Sequence, residues 1–142
     1  MKEFLESLTK KIKSFDVPFR HWEFQNPLSQ QVIDEIVSIS APKEEYAYDG
    51  TRAADYSGKG VDSKLRLFIN KKNTHLYPNL SYIIKILQTK ECQKIISKYL
   101  NKSLDDAYVR LEVISDKKGF WLRPHQDIKE KIMTMMVWVN PY

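Results

Sequence analysis

An α+β fold is predicted by three features of the sequence. Apolar residues recur at helical spacing through much of residues 1–106, they alternate at period two after residue 107, and the two patterns occupy different parts of the chain. At 142 residues the chain suits one domain with a real core. Its 42% hydrophobic and 29% charged content is that of a globular protein rather than a disordered one.

Leu5, Leu8, Ile12 and Phe15 follow each other at spacings of three and four, which predicts an amphipathic helix over Met1 to Phe15, ended by Asp16-Val17-Pro18. Phe19 to Phe24 alternates and predicts a short strand. Ser29 is placed to cap a second helix with Val32, Ile33, Ile36 and Val37 inward, closed by Pro42. Lys43 to Ser63 carries Gly50, Gly58 and Gly60 and little apolar content, predicting a long loop. Its Tyr46, Tyr48, Arg52, Asp55 and Tyr56 suit either substrate contact or a plain surface excursion. Leu65, Leu67 and Ile69 mark a strand. Pro78 to Gln88 and Glu91 to Leu100 read as helices with stripes Leu80, Ile83, Ile84, Leu87 and Cys92, Ile95, Ile96, Tyr99. Ala107 to Ser115, Phe120 to Arg123 and Lys131 to Asn140 complete the pattern as strands, with a turn at 116–119 and a bridge at 128–130.

Composition narrows the function classes. Cys92 is the single cysteine, so an internal disulfide and a multi-cysteine zinc site are excluded, and its helical setting makes it a small core residue. No apolar run reaches transmembrane length and the start lacks the apolar centre of a signal peptide, so a cytoplasmic protein is expected. The net charge is +5, but the lysine clusters at Lys10, Lys11, Lys13, Lys71, Lys72, Lys117 and Lys118 are scattered. A phosphate-binding surface needs them on one face, so neither nucleic acid nor membrane is an expected partner.

The chemistry concentrates in Arg123-Pro124-His125-Gln126-Asp127. One residue separates His125 from Asp127, which on an extended segment ending in a loop lets an imidazole and a carboxylate converge on one ion. Such a pair supplies two of the three protein ligands of a 2-His-1-carboxylate Fe(II) site. No histidine follows His125. The other two, His21 in an aromatic strand and His75 before Leu76-Tyr77-Pro78, read as structural residues rather than ligands.

Three runs together carry a family resemblance: Tyr108-Val-Arg110-Leu-Glu112, Gly119-Phe-Trp-Leu-Arg-Pro-His125-Gln-Asp127, and Lys131-Ile-Met-Thr134-Met-Met-Val-Trp138-Val-Asn140. They resemble the first half of the catalytic core of 2-oxoglutarate/Fe(II)-dependent oxygenases, in the prolyl-hydroxylase-like branch. The resemblance implies a double-stranded β-helix, or jelly roll. It would be incomplete here, with 1–106 as an N-terminal helical support region and 107–142 as the first strands of the core. It further implies His125 and Asp127 as catalytic Fe(II) ligands and 2-oxoglutarate as co-substrate, with oxidative decarboxylation coupled to hydroxylation of a substrate C–H bond. Thr134 and Trp138 fall where that family contacts 2-oxoglutarate, with Trp in place of the usual Tyr. By period two, Thr134, Met136 and Trp138 would line the interior while Met133, Met135 and Val137 pack outside. Arg110 is either a cofactor contact or half of a structural ion pair with Glu112.

The family's distal His and its 2-oxoglutarate-pairing Arg or Lys have no counterpart after Asn140. The expectation is the front part of a longer oxygenase, which alone lacks the distal ligand half, or a natural half that pairs with a partner chain. The alternative is a non-catalytic jelly-roll module that binds a partner or sugar. The substrate, whether small molecule, protein or sugar, is not specified by the sequence.

Overall fold

The computed structural model describes residues 2–10, 12–40, 64–116 and 126–139. In chain order these form α1 (Lys2–Lys10), β1 (Ile12–Phe15), β2 (His21–Phe24), α2 (Gln30–Ser38), β3 (Lys64–Ile69), a 3-10 turn (Thr74–Leu76), α3 (Pro78–Leu87), α4 (Lys90–Leu100) and β4 (Leu111–Asp116). Among the described residues the strands make two antiparallel two-stranded sheets, β1–β2 and β3–β4. These residues are mixed helix and strand, and they show no closed barrel or jelly roll.

The expected first helix is corrected by this order. It stops at Lys10, and Ile12 to Phe15 instead form a strand. Ile12 is β-branched and Phe15 aromatic, residue types that strands favour, and here the hairpin wins. Ile12 faces Phe24, Phe15 faces His21, and the Phe15 and His21 rings stack at 4.9 Å. Helices and strands therefore interleave, and the sheets do not wait for residue 107. β4 begins at Leu111 rather than Ala107, where the Ala107 N–H instead donates to the Leu104 carbonyl at 3.0 Å. The expected loop at Lys43 to Ser63 and strand at Phe120 to Arg123 lie outside the described residues.

One core joins the helices to β3. Phe4 and Leu8 of α1, Val32 of α2, Ile69 of β3, Leu80, Ile83 and Ile86 of α3, and Cys92 and Ile96 of α4 are all buried. Burying a side chain such as Leu8 contributes about 1.5–3 kcal/mol. In α3 the innermost stripe is Leu80, Ile83 and Ile86, with Ile84 and Leu87 only partly covered. The Tyr99 hydroxyl donates to the Leu8 carbonyl and ties α4 to α1. Removal of that phenol from water raises its pKa.

The start of α3 and both ends of α4 have identifiable caps. Asn70 and Asn73 build the turn out of β3: Asn70 Oδ1 accepts from the Lys72 N–H at 2.9 Å, and Asn73 Oδ1 from the Asn70 N–H at 2.8 Å. Pro78 opens α3, where its missing N–H costs nothing. The next two N–H groups are capped from α2. Glu35 Oε2 accepts from Asn79 N at 3.1 Å, and Oε1 from Leu80 N at 2.8 Å. Thr89 caps α4 by accepting from Cys92 N. Asn101, at φ 52° and ψ 42°, ends it, and the Lys102 N–H closes back on the Ser97 carbonyl at 3.3 Å.

Candidate metal centre

β3 and β4 pair Leu67 with Val113 and Ile69 with Leu111, and these four side chains turn toward the helical core. Period two sends Arg66, Phe68 and Glu112 to the opposite face. There a chain of charge forms. Glu112 Oε2 lies 3.4 Å from Arg66 Nη1, and its Oε1 lies 3.1 Å from Arg110 Nε. The Arg110 guanidinium also sits 5.9 Å from the centre of the Phe68 ring. Of the two roles open for Arg110, the ion pair with Glu112 is the one observed. Arg66 itself is buried, at 2% exposure, and pairs with a carboxylate on the neighbouring strand. Local sequence gave no sign of this partner, because the contact spans 46 residues.

Asp127 lies in a stretch without helix or strand. A turn closed by the Lys131 N–H on the Ile128 carbonyl at 3.0 Å folds the chain back. It sets Lys131 Nζ 2.9 Å from Asp127 Oδ1, with the carboxylate about half exposed at 52%. The proposed partner His125 lies outside the described residues. Among the described residues no group of three His, Cys, Asp or Glu side chains is placed to hold a metal. His21 rests against Phe15 and Phe19, with Nδ1 2.8 Å from the Phe19 carbonyl, and His75 is exposed in the 3-10 turn. The His21 contacts suit a structural residue.

The expected strand Lys131 to Asn140 is corrected over its described part. Residues 131–139 join no ladder among the described residues, and a strand needs a neighbour for its N–H and carbonyl groups. The sidedness also differs. Met133 packs on the core, whereas Thr134 is exposed, Met136 is 66% exposed and Trp138 is 82% exposed. Thr134 and Trp138 therefore line no interior among the described residues.

A feature missed in the sequence lies on α4. Lys90, Lys94, Lys98 and Lys102 line one open trough of about 720 Å³. Their spacing of four residues is itself legible, since residues i and i+4 share a helix face. A search for consecutive lysines passes over it.

No helix among the described residues is long and apolar enough to cross a membrane. Compared with known protein families, curated proteins and solved structures, the chain matches none of them.

Proposed function

We propose that the chain carries the front half of a 2-oxoglutarate- and Fe(II)-dependent oxygenase core, with His125 and Asp127 as metal ligands. The observation that carries this is the sequence run from Tyr108 to Asn140, in which His125-x-Asp127 stands between an Arg-x-Glu segment and a Lys-x-x-Thr-x-x-x-Trp-x-Asn segment. The donor set fits in part: a half-exposed carboxylate at Asp127 is the hard anionic oxygen that Fe(II) takes beside imidazole. Bound iron would supply the redox chemistry that couples 2-oxoglutarate decarboxylation to substrate hydroxylation.

The chain's own residues have defined parts in this proposal. Lys131 orients the Asp127 carboxylate through Oδ1, and a metal at Asp127 shares that carboxylate with the ammonium. Glu112 holds Arg110 against Phe68, which braces the start of β4 rather than offering Arg110 to a ligand. Arg110 is accordingly a positioning residue in the proposal, and Thr134 and Trp138 become 2-oxoglutarate contacts only when a further strand covers residues 131–139.

A second reading is favoured by the same Asp127–Lys131 pair. A carboxylate already matched by an ammonium needs no metal, which suits a non-catalytic binding module. Succinate formation separates the two. With Fe(II), ascorbate, O2 and 2-oxoglutarate, a version extended through the distal ligand half yields succinate, and His125→Ala and Asp127→Ala in that version each abolish it. Succinate at background level, together with wild-type folding, favours the module.

A further inference from the structure

We propose that the lysine ridge of α4 is a binding surface for a single phosphodiester strand, separate from the Asp127 region and independent of any role there. Lys90, Lys94 and Lys98 stand above one another about 6 Å apart along the helix, and Lys102 extends the row past the left-handed cap at Asn101. Lys90 is matched locally. Its Nζ lies 3.4 Å from Asp105 Oδ1, while the Ser103 hydroxyl donates to Asp105 Oδ2 at 2.7 Å. The Ser103 bond first, and Lys90 second, hold the Asp105 carboxyl below its ordinary range. Lys94, Lys98 and Lys102 make no ion pair with any described residue, so the trough keeps an excess of positive charge.

The shape and lining select the ligand. The trough is open, its lining runs along α4 from Lys90 to Asn101, and Leu104 is its one apolar lining residue among hydroxyl, amide, carboxylate and ammonium groups. A bilayer is flat, and its peripheral readers interleave apolar anchors with their basic residues. A phosphodiester chain is linear, hydrated and charged at regular intervals, and it accepts hydrogen bonds from hydroxyls such as that of Ser97. Tyr99 is turned away from the ridge, with its hydroxyl on the Leu8 carbonyl and its ring beside Trp22, so the ridge offers charge and hydrogen bonds rather than a stacking platform.

The test is fluorescence anisotropy of a labelled oligouridylate with the 142-residue chain. Three phosphates neutralised on a single strand give a salt slope near −2, so affinity falls roughly twenty-fold between about 50 and about 200 mM salt. The triple variant Lys94→Glu, Lys98→Glu, Lys102→Glu is expected to lose binding. The triple glutamine variant, which keeps helix propensity, is expected to weaken it at least about ten-fold at low salt. Lys71→Glu with Lys72→Glu, on the turn after β3, is expected to bind within about two-fold of wild type. Three results overturn the proposal: no binding at low salt, equal loss in the ridge and turn variants, or binding to phosphatidylserine vesicles or polyglutamate but not to the oligonucleotide.

Discussion

The carboxylate of Glu35 closes the first turn of a helix that begins more than 40 residues later, since Asn79 lies 44 positions further along the chain. It takes the two N–H groups that follow Pro78 and accepts from the Asn79 side chain at 2.9 Å. Glu35→Ala is expected to cost about 1–3 kcal/mol in urea unfolding, as a lost cap and lost charge-assisted bonds together require. Glu35→Gln keeps one acceptor and should cost less. At Cys92 the predicted quantity is a pH dependence. Burial, and after it the charge of Glu91, pushes the thiol from 9.0 up to about 11. The folded state holds that proton more tightly than the unfolded chain, so the contribution is complete below pH 9 and is lost as pH rises toward 11. Unfolding at stepped pH should show wild type losing roughly 2 kcal/mol of stability across this window that Cys92→Ala, which lacks the titration, does not lose. At Asp127, replacing Lys131 with Met removes a competing cation. Metal affinity is then expected to rise by up to about five-fold in calorimetry, the scale of an exposed ion pair.

Among the elements, α2, α3, α4 and β3 were legible because each carries its own apolar period, with Ser29 preceding α2 and Pro78 opening α3. The inward face of α2 is narrower than expected: Val32 is buried, but Val37 is 46% exposed. Ile12 to Phe15 was misread because a four-residue strand shares its spacing with one helical turn, and what decides between them is β2, six residues beyond it in the chain. Lys131 to Asn140 erred in the opposite direction. Its alternation expresses extended propensity, but the described residues offer no neighbouring strand to complete the ladder. At the α3–α4 joint, Thr89→Ala is expected to cost about 1 kcal/mol by denaturant melt. Asn101→Gly relieves a left-handed residue and should be neutral or slightly stabilising.

For the molecule as a whole, the helical core could be inferred from apolar stripes, whereas its polar fastenings could not. The Arg66–Glu112–Arg110 chain, the Glu35 cap and the Tyr99–Leu8 bond each join residues that no local pattern relates. The candidate iron site is the reverse case. It is carried almost wholly by sequence, through His125-x-Asp127 and its flanking runs, and the structure adds the half-exposed Asp127 carboxylate beside Lys131. The lysine ridge falls between these cases, because its spacing was present in the sequence but the return of Ser103, Leu104 and Asp105 alongside it, past the cap at Asn101, depends on the fold. The central claim is iron binding at His125 and Asp127, and anaerobic calorimetric titration of Fe(II) in the presence of 2-oxoglutarate tests it most directly. A single saturable site that weakens at least about ten-fold in both His125→Ala and Asp127→Ala is the predicted result. An isotherm unchanged by either substitution, or no saturable binding by the folded wild-type chain, would contradict it.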